Sequence, residues 1–193
     1  MKPAVILDRD GVICEYVDEL HRPDQIVLRK GIGTGIRALN QNGYLIFVAT
    51  NQPMVAKGII TLNDLDQIHQ RMKSLLLQEG AFLDDIFFCP HKVPGIIAEF
   101  STSCQCRKPL SGMLKQAYEK YNFDKSKSWM IGDTWRDVGC AHHFGIPCLA
   151  VEGGAGFPYP EDSKENLYQP DQLFNSPSQA IQWILSQNEN PLK

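Results

Sequence analysis

Residues 4–11 read Ala-Val-Ile-Leu-Asp-Arg-Asp-Gly, a short apolar run followed at once by two carboxylates. Apolar and polar side chains do not alternate in this run, which favours a parallel strand that is covered on both faces. Four later runs share this character, and segments with helical patterns separate them. Their ranges are 44–50, 85–89, 128–133 and 146–151. Strands that alternate with helices predict an α/β fold with a doubly wound, Rossmann-like parallel sheet.

Helical periodicity identifies the segments that connect these strands. We expect helices at 33–41, 62–79, 111–121, 137–144 and 177–187. The segment 62–79 carries the clearest signals, because Thr61 can cap it, Asp64 can complete a capping box and Gly80 can end it. Its polar His69 is expected at the surface. Its buried stripe is expected to consist of Leu62, Leu65, Ile68, Met72, Leu75 and Leu76.

The bulk properties of the chain are those of a globular protein. A length of 193 residues fits one domain, which we place at 1–187, and residues 188–193 are expected to form a flexible tail. Apolar residues make up 43% of the chain and charged residues 21%, which are ordinary values for such domains. We expect long loops at 91–106 and 152–176, and little or no cap domain above the sheet.

Charge and hydropathy favour a cytoplasmic protein with a small partner. The net charge is -3, the isoelectric point is about 5.9, and no long run of Lys or Arg could follow a nucleic-acid backbone. No apolar run reaches the ~18 residues of a membrane-spanning helix. The first residues also lack the layout of a signal peptide. We therefore expect a cytoplasmic monomer that binds a small molecule, with neither nucleic acid nor membrane as partner.

Three polar residues, Asp8, Thr50 and Asp133, each close an apolar run. Ligands of doubly wound sheets bind at the carboxyl ends of the strands, so we expect these residues in one site. Asp8 can attack phosphorus, because carboxylates form covalent intermediates with phosphoryl groups. Asp10 can protonate the leaving alkoxide and then deprotonate the attacking water. Gly11 permits the sharp turn that aims both carboxylates.

Charge balance in this site predicts a magnesium ion. A phosphate dianion would be repelled by Asp8 and Asp10 unless a cation were present, and Mg²⁺ prefers hard oxygen ligands. Asp133 supplies a further carboxylate, while Arg107 and Lys108 add positive charge where the phosphoryl oxygens would lie. Each of these pieces alone is common in turns, caps and solvated surfaces. Their occurrence together at strand ends indicates phosphoryl transfer.

Four short motifs occur in a fixed order along the chain. They are DRDGV at 8–12, TNQ at 50–52, RKP at 107–109 and GDTWRD at 132–137. In this combination the chain resembles the haloacid dehalogenase-like (HAD) phosphatases over roughly residues 4–150. The resemblance implies that Asp8 is the nucleophile and Asp10 the general acid/base.

The same resemblance implies roles for the remaining motif residues. Thr50 and Lys108 would stabilise the transferring phosphoryl group. Magnesium would be held by Asp8, by the main-chain carbonyl of Asp10 and by Asp133. Asn51 would offer an amide donor beside Thr50.

Cysteine and histidine are clustered in the segment 89–106. Cys89 and His91 form one pair with a spacing of two, and Cys104 and Cys106 form another. Residues i and i+2 of an extended segment point to the same side, so the two pairs can close a tetrahedral Cys₃His site, which suits zinc. Four protein ligands leave no open position, which predicts a structural zinc. The alternative is a set of buried thiols beside an unrelated histidine.

The quartet and the run Cys-Arg-Lys-Pro-Leu-Ser-Gly-Met at 106–113 resemble two groups of HAD phosphatases. These are the D-glycero-D-manno-heptose 1,7-bisphosphate 7-phosphatases and the histidinol phosphatases, and the long loop between the two metal-ligand pairs is more similar to the heptose enzymes. That likeness implies that Arg107 recognises substrate. It also implies that the sugar is lined by the loop containing Tyr16 and Glu19 and by Asn51 and Gln52.

The sequence departs from the heptose enzymes at two places near the expected pocket. Cys14 stands where they usually carry Asn, and residues 53–58 read Pro-Met-Val-Ala-Lys-Gly instead of Ser-Gly-Ile-Ala-Arg-Gly. Both departures affect the choice of sugar and leave the nucleophile and the metal ligands intact. We therefore predict Mg-dependent hydrolysis of the 7-phosphate of heptose 1,7-bisphosphate, in the synthesis of ADP- or GDP-heptose for lipopolysaccharide or surface sugars.

Other functions agree with part of the sequence. A histidinol phosphatase, or another small sugar-phosphate phosphatase, would differ only in its substrate. A phosphatase for nucleic-acid ends is disfavoured by the acidic charge balance. A noncatalytic, zinc-bearing interaction module is disfavoured because four charged residues of the reaction are all retained. Those residues are Asp8, Asp10, Lys108 and Asp133.

Overall fold

The computed structural model describes residues 1–152 and 168–189 as a parallel sheet flanked by helices. Its strands are β1 (Ala4–Leu7), β2 (Leu45–Asn51), β3 (Asp85–Cys89), β4 (Trp129–Gly132), β5 (Cys148–Val151) and β6 (Gln172–Phe174). Its α-helices are α1 (Ile32–Gln41), α2 (Leu62–Gln78), α3 (Gly112–Tyr121), α4 (Trp135–Phe144) and α5 (Pro177–Glu189). Within these residues, no helix is long and apolar enough to cross a membrane.

The sheet has the strand order β3-β2-β1-β4-β5-β6, and every pairing is parallel. The predicted α/β class and doubly wound sheet are therefore confirmed. The chain proceeds outward from β1 through β2 to β3, and then returns to place β4 on the other side of β1. This reversal of direction between β1 and β4 is the point at which such sheets bind ligands.

The strand β1 divides the apolar core into two parts. Val5 and Leu7 pack with the residues of α1, α2 and α5, whereas Ala4 and Ile6 pack with those of α3 and α4. All four side chains are buried, because both faces of the central strand are covered by helices. This two-sided burial explains why apolar and polar residues do not alternate along the run that forms β1.

The helix α2 forms as its termini predict. The Thr61 hydroxyl accepts from the Asp64 N–H at 3.1 Å, and an Asp64 carboxylate oxygen accepts from the Thr61 N–H at 2.9 Å. This reciprocal capping box satisfies two amide groups that have no partner within the helix. Of the predicted stripe, Leu65, Ile68, Met72 and Leu76 are buried, while Leu62 at the first turn is exposed.

Several elements begin or end one or two residues from the sequence-based expectation, and one further strand is present. The predicted loop at 152–176 contains the short edge strand β6, which pairs with β5 from Gln172 to Phe174. Helix α4 begins at Trp135 instead of 137, because Thr134 caps it. Helix α5 runs to Glu189, so residues 188 and 189 of the predicted tail are helical. The rest of that tail and residues 153–167 of the predicted loop lie outside the described residues.

Candidate active site

The carboxyl ends of β1 and β4 bring the first two acidic side chains of the site together. Leu7 of β1 is in register with Ile131 of β4, and the Asp8 N–H donates to the Ile131 carbonyl at 3.0 Å. Asp8 and Asp133 therefore follow neighbouring strands, and both are almost fully buried. They lie in the wall of a cleft of about 230 Å³.

The ammonium of Lys108 has three donors and three oxygen partners. Its Nζ lies 2.9 Å from Asp8 Oδ1, 2.6 Å from Asp137 Oδ1 and 2.7 Å from the carbonyl of Ala49. Burial alone would favour the neutral amine, but the charges of Asp137 and Asp8 outweigh it and raise the pKa of Lys108. A permanent positive charge is thus fixed beside Asp8.

Asp137, the last residue of the GDTWRD motif, has a structural role in the site. Its Oδ2 accepts from the N–H and the hydroxyl of Thr134, at 3.0 and 2.7 Å, which caps α4. Its Oδ1 accepts from Lys108. A side chain at position 132 would collide with Asp137, so Gly132 permits this close approach. Both Asp137 oxygens therefore accept hydrogen bonds within the protein, and the carboxylate holds the Lys108 ammonium in place.

The remaining carboxylates have the properties of a cation site. Burial, opposed by Lys108, raises the pKa of Asp8 to about 6, and burial together with the charge of Asp8 raises the pKa of Asp133 to about 8. Asp133 Oδ1 is buried and has no hydrogen-bond partner within the described residues. Such an oxygen is costly unless something pairs with it. A divalent cation would pair with this oxygen and favour the charged form of both carboxylates.

Asp10 is held by its neighbour Arg9 through a two-pronged contact. Arg9 Nε donates to Asp10 Oδ1 and Arg9 Nη2 donates to Asp10 Oδ2, both at 2.8 Å. Gln52 Nε2 donates to the same Oδ2 at 3.0 Å. Although burial favours the neutral acid, Arg9 outweighs it and lowers the pKa of Asp10. Gly11 follows with a φ of 82°, a left-handed conformation in which glycine carries no steric penalty.

His69 lies in the core beneath this pair and not at the surface, so the expectation for it was wrong. It belongs to α2, and its Nε2 is 3.4 Å from Arg9 Nη1. Burial, helped by the charge of Arg9, lowers the pKa of His69 to about 3, so the ring is neutral. The sequence does carry the signal, because His69 follows the buried Leu65 by four residues and precedes the buried Met72 by three.

The end of β2 supplies residues that organise the cleft. Thr50 is buried, and its Oγ1 accepts from Gln52 Nε2 at 2.8 Å. Asn51 was expected to face substrate, but its amide pairs with the backbone of Lys108, accepting from the N–H at 3.0 Å and donating to the carbonyl at 3.1 Å. Both amide atoms are thereby used to hold Lys108 in place. Thr50, Asn51 and Gln52 all line the cleft.

The mouth of the cleft contains the other residues predicted to bind substrate. Tyr16 is half exposed there, and Glu19 pairs with Lys57 at 3.1 Å across the opening. The departure at 53–58 therefore reaches the cleft. The departure at Cys14 does not, because that side chain is fully buried in the core.

Positive charge at the mouth comes from two arginines. Arg107 and Arg136 both line the opening. Arg107 Nη1 donates to the carbonyl of His91 at 3.0 Å, which ties the side chain to the cysteine-rich segment. Arg136 belongs to the first turn of α4 and was not singled out from the sequence. Its place in the GDTWRD motif, three residues after Asp133, was the available signal.

The structure brings the four predicted zinc ligands together. Cys89 Sγ lies 3.5 Å from Cys104 Sγ and 3.6 Å from His91 Nδ1, while Cys106 Sγ lies 3.3 Å from both Cys104 Sγ and His91 Nδ1. Bonds of about 2.3 Å to sulfur and 2.0 Å to nitrogen make the edges of a tetrahedral zinc site roughly 3.5–3.8 Å long. All four cysteine and histidine side chains therefore have a spacing that suits zinc, and the thiols are not joined as disulfides.

Comparison with known proteins identifies the family. A HAD-hydrolase-like family model matches residues 105–180. The D-glycero-D-manno-heptose-1,7-bisphosphate 7-phosphatase of Thermosynechococcus vestitus is 33% identical over 187 residues, which are 95% of each protein. The chain belongs to the heptose-bisphosphate phosphatase family of HAD-like hydrolases.

Further members of the heptose-bisphosphate phosphatase family agree with this assignment. The D-glycero-beta-D-manno-heptose-1,7-bisphosphate 7-phosphatase of Rhodopseudomonas palustris is 38% identical over 79% of this chain and 84% of its own length. A solved D,D-heptose 1,7-bisphosphate phosphatase from B. bronchiseptica, complexed with magnesium and phosphate, has a TM-score of 0.81 at 29% identity. That comparison covers 96% of this chain and 99% of the other. The chain is therefore a HAD-type phosphatase, a phosphoric monoester hydrolase.

Proposed function

We propose that this phosphatase removes the 7-phosphate from D-glycero-D-manno-heptose 1,7-bisphosphate, in the synthesis of ADP- or GDP-heptose for lipopolysaccharide or other surface sugars. The proposal is carried by one observation. The buried Asp8, Lys108 and Asp133 share one cleft in a chain that is 33% identical to a heptose enzyme across 95% of both proteins.

Magnesium is the proposed cofactor, held by the carboxylates of Asp8 and Asp133 and by the main-chain carbonyl of Asp10. The buried, unpaired Asp133 Oδ1 supports this assignment, and so does the magnesium in the related B. bronchiseptica enzyme. Asp137 is left out of the ligand set because Lys108 and Thr134 already occupy its oxygens. When bound, the ion would neutralise charge on the carboxylates and on the transferring phosphoryl group.

The proposed reaction has two steps at Asp8. In the first, a carboxylate oxygen of Asp8 bonds to phosphorus, the phosphorus–ester oxygen bond breaks, and the leaving alkoxide takes a proton from the acid form of Asp10. That form is the minor one in the free protein, because Arg9 lowers the pKa of Asp10. In the second, the Asp10 carboxylate takes a proton from water, the resulting hydroxide attacks phosphorus, and the bond to Asp8 breaks to release phosphate. Lys108 offsets the negative charge that Asp8 and the phosphoryl group bring together.

A second phosphate on the substrate would explain the charge at the mouth of the cleft. Lys108 lies deep beside the nucleophile, whereas Arg107 and Arg136 line the opening. A guanidinium can bind a phosphate through two parallel hydrogen bonds, so it suits an anchor that fixes the orientation of a substrate. We assign these two arginines to the phosphate that is not cleaved, with Tyr16, Glu19 and Gln52 lining the sugar.

Zinc is proposed as a structural cofactor at Cys89, His91, Cys104 and Cys106. The chain joins Cys106 directly to Arg107, and the Arg107 side chain bonds to the carbonyl of His91. Zinc would therefore stabilise the segment that presents the substrate-binding arginine.

Phosphate release from a panel of substrates tests the function. The panel contains heptose 1,7-bisphosphate, fructose 1,6-bisphosphate, histidinol phosphate and a 3′-phosphorylated oligonucleotide, each with Mg²⁺. We expect selective turnover of the heptose compound and its loss in Asp8→Asn. The matched control is Asp24→Asn, which removes an exposed carboxylate that pairs with Arg22 on the surface.

The panel tests the identity of the substrate separately from the reaction mechanism. Faster turnover of another member, abolished in Asp8→Asn, would discard the heptose assignment and retain the mechanism. Equal activity of Asp8→Asn and the wild-type protein would overturn the assignment of the nucleophile.

A further inference from the structure

Arg9 is the largest fully buried side chain of the described residues, and the proposed reaction gives it no role. Its guanidinium makes hydrogen bonds in three directions. Nε and Nη2 donate to the two oxygens of Asp10, and Nη2 also donates to Gln52 Oε1 at 2.8 Å. Nη1 points to His69 Nε2 at 3.4 Å. A buried arginine is costly unless its donors are satisfied, and this one has a partner for each nitrogen.

The contact between Arg9 and His69 fixes the state of the imidazole. Arginine has only donors, so His69 Nε2 must be the acceptor and the ring must be neutral. The burial of His69 and its lowered pKa agree with this state. The ring is also held against Phe88, with the ring centres 5.7 Å apart. A rigid path therefore runs from helix α2 through His69 and Arg9 to Asp10.

Two parallel hydrogen bonds determine both the distance and the rotation of a carboxylate. The Asp10 carboxyl is fixed in this way by Arg9, and Gln52 adds a third contact from the end of β2. Gln52 in turn bonds to Thr50, so the network ends at the residue next to the phosphoryl site. Small errors in the placement of a catalytic group cost large factors in rate.

We propose that Arg9 and His69 are positioning residues for the general acid/base: His69 orients the guanidinium of Arg9, and Arg9 aims the carboxyl of Asp10 at the leaving oxygen. The inference rests on the proposed role of Asp10. It predicts that loss of His69 harms proton donation to the leaving group more than any other part of the reaction.

Aryl phosphates with different leaving groups isolate that step. The cleavage rate of phenyl phosphate depends strongly on protonation of the departing oxygen. The rate for 4-nitrophenyl phosphate depends on it less, and the rate for 2,4-dinitrophenyl phosphate depends on it least. In His69→Leu we expect kcat/KM for phenyl phosphate to fall by about 10-fold or more, within the range that general acid catalysis contributes. The value for 2,4-dinitrophenyl phosphate should change by less than about 3-fold, since that step needs little acid catalysis. His69→Gln keeps an acceptor and should recover most of the phenyl phosphate activity.

Three further variants keep the test decisive. In Asp10→Asn, the loss of kcat/KM should vary with the leaving group in the same order as in His69→Leu, and more steeply. Ile68→Ala opens a cavity on the same helix and should lower the melting temperature while changing the three substrates by the same factor. Arg9→Lys keeps the charge but removes the two-pronged contact, so it repeats the test if His69→Leu proves unstable.

The outcomes separate this inference from the proposed function. Equal losses on all three substrates in His69→Leu and Arg9→Lys, with Asp10→Asn still discriminating among them, would overturn the positioning role alone. An Asp10→Asn variant that does not discriminate would overturn the role of Asp10 as general acid, and the positioning role with it.

Discussion

The Lys108 ammonium is placed between Asp8 and Asp137 with no donor left over. An ammonium with three fixed partners cannot turn away from the nucleophile, so its charge is available before substrate arrives. Such preorganised charge is often the largest contribution to catalysis, because nothing has to rearrange during the reaction.

Lys108→Met should therefore reduce both activity and stability. We expect kcat/KM to fall by about 10²–10³-fold, as for the loss of a preorganised electrostatic partner. Removal of one partner from a buried ion pair should also lower the free energy of unfolding by about 3–5 kcal/mol. Steady-state kinetics and urea unfolding measure the two effects.

Lys120→Met is the matched control for this variant. Lys120 also forms an ion pair, with Asp85 at 2.8 Å, but it is exposed and far along the chain from the motif residues. It should leave activity and stability close to those of the wild-type protein. Equal effects of the two substitutions would contradict the role given to Lys108.

Individual residues also show where sequence reasoning succeeds and where it stops. The expected positions of Asp8 and Asp133 follow from strand ends and that of Lys108 from the RKP motif, and the structure places all three residues in one cleft. The contacts of Arg9 were not predictable, because a charged residue after a strand is ordinarily solvated. Only the fold shows that α2 covers Arg9 and supplies His69 as a partner.

Among the elements, the segment 89–106 has little apolar burial in its middle part. It contains one turn of 3-10 helix, Ala98–Phe100, and Ile96 and Val93 are largely exposed. With few buried apolar contacts, such a segment depends on other links to hold its shape. The four clustered ligands at its two ends would provide that link if they bind zinc.

Cys106→Ser should remove the bound zinc and weaken substrate recognition through Arg107. We expect KM for the bisphosphate to rise by about 10-fold, a factor that corresponds to ~1.4 kcal/mol of binding, with a smaller change in kcat. Metal analysis of the purified protein and steady-state kinetics measure the two effects.

Cys140→Ala serves as the control for Cys106→Ser. Its thiol is buried in the core beside α3 and is not part of the quartet. The variant should retain zinc and an unchanged KM. Full zinc content in Cys106→Ser, or an unchanged KM after zinc is lost, would contradict the link between the metal and Arg107.

The elements that the sequence predicted share a physical property. Strands β1, β2, β4 and β5 are apolar runs because helices cover them on both faces, whereas β3 lies at the other edge of the sheet and is mostly only partly buried. The edge strand β6 has only Gln172, Leu173 and Phe174, and it is paired on one side. Three partly exposed residues carry no such pattern, so it is the pairing with β5 that makes this segment a strand.

On the scale of the whole molecule, the C-terminal helix completes the core on one face of the sheet. Ala180, Ile181 and Ile184 of α5 are fully buried, and Trp183 packs edge-on against Trp129 of β4 with 5.0 Å between ring centres. Ile181 also fills the space over Gly35 of α1. The last described helix therefore joins α1 to the strand that carries Asp133.

Ile181→Ala should destabilise the protein without changing its chemistry. A cavity at a fully buried isoleucine costs about 2–5 kcal/mol of unfolding free energy. Urea unfolding measures this loss, and kcat measured well below the melting temperature should stay within about 2-fold of the wild-type value.

Leu173→Ala in β6 is the comparison for Ile181→Ala. That leucine is 60% exposed, so its removal should change stability little. If Ile181→Ala were no less stable than Leu173→Ala, the contribution of α5 to the core would be refuted.

The central position of β1 also has a consequence for biosynthesis. This strand is made before β4, and Leu7 cannot pair with Ile131 until β4 has been translated. At 5–20 residues per second, roughly 6–25 s separate the two events. During that interval the nascent chain carries an apolar strand with one edge unpaired, which is a template for association with other chains. Translation speed and chaperone supply should therefore influence how much of this phosphatase is recovered in folded form.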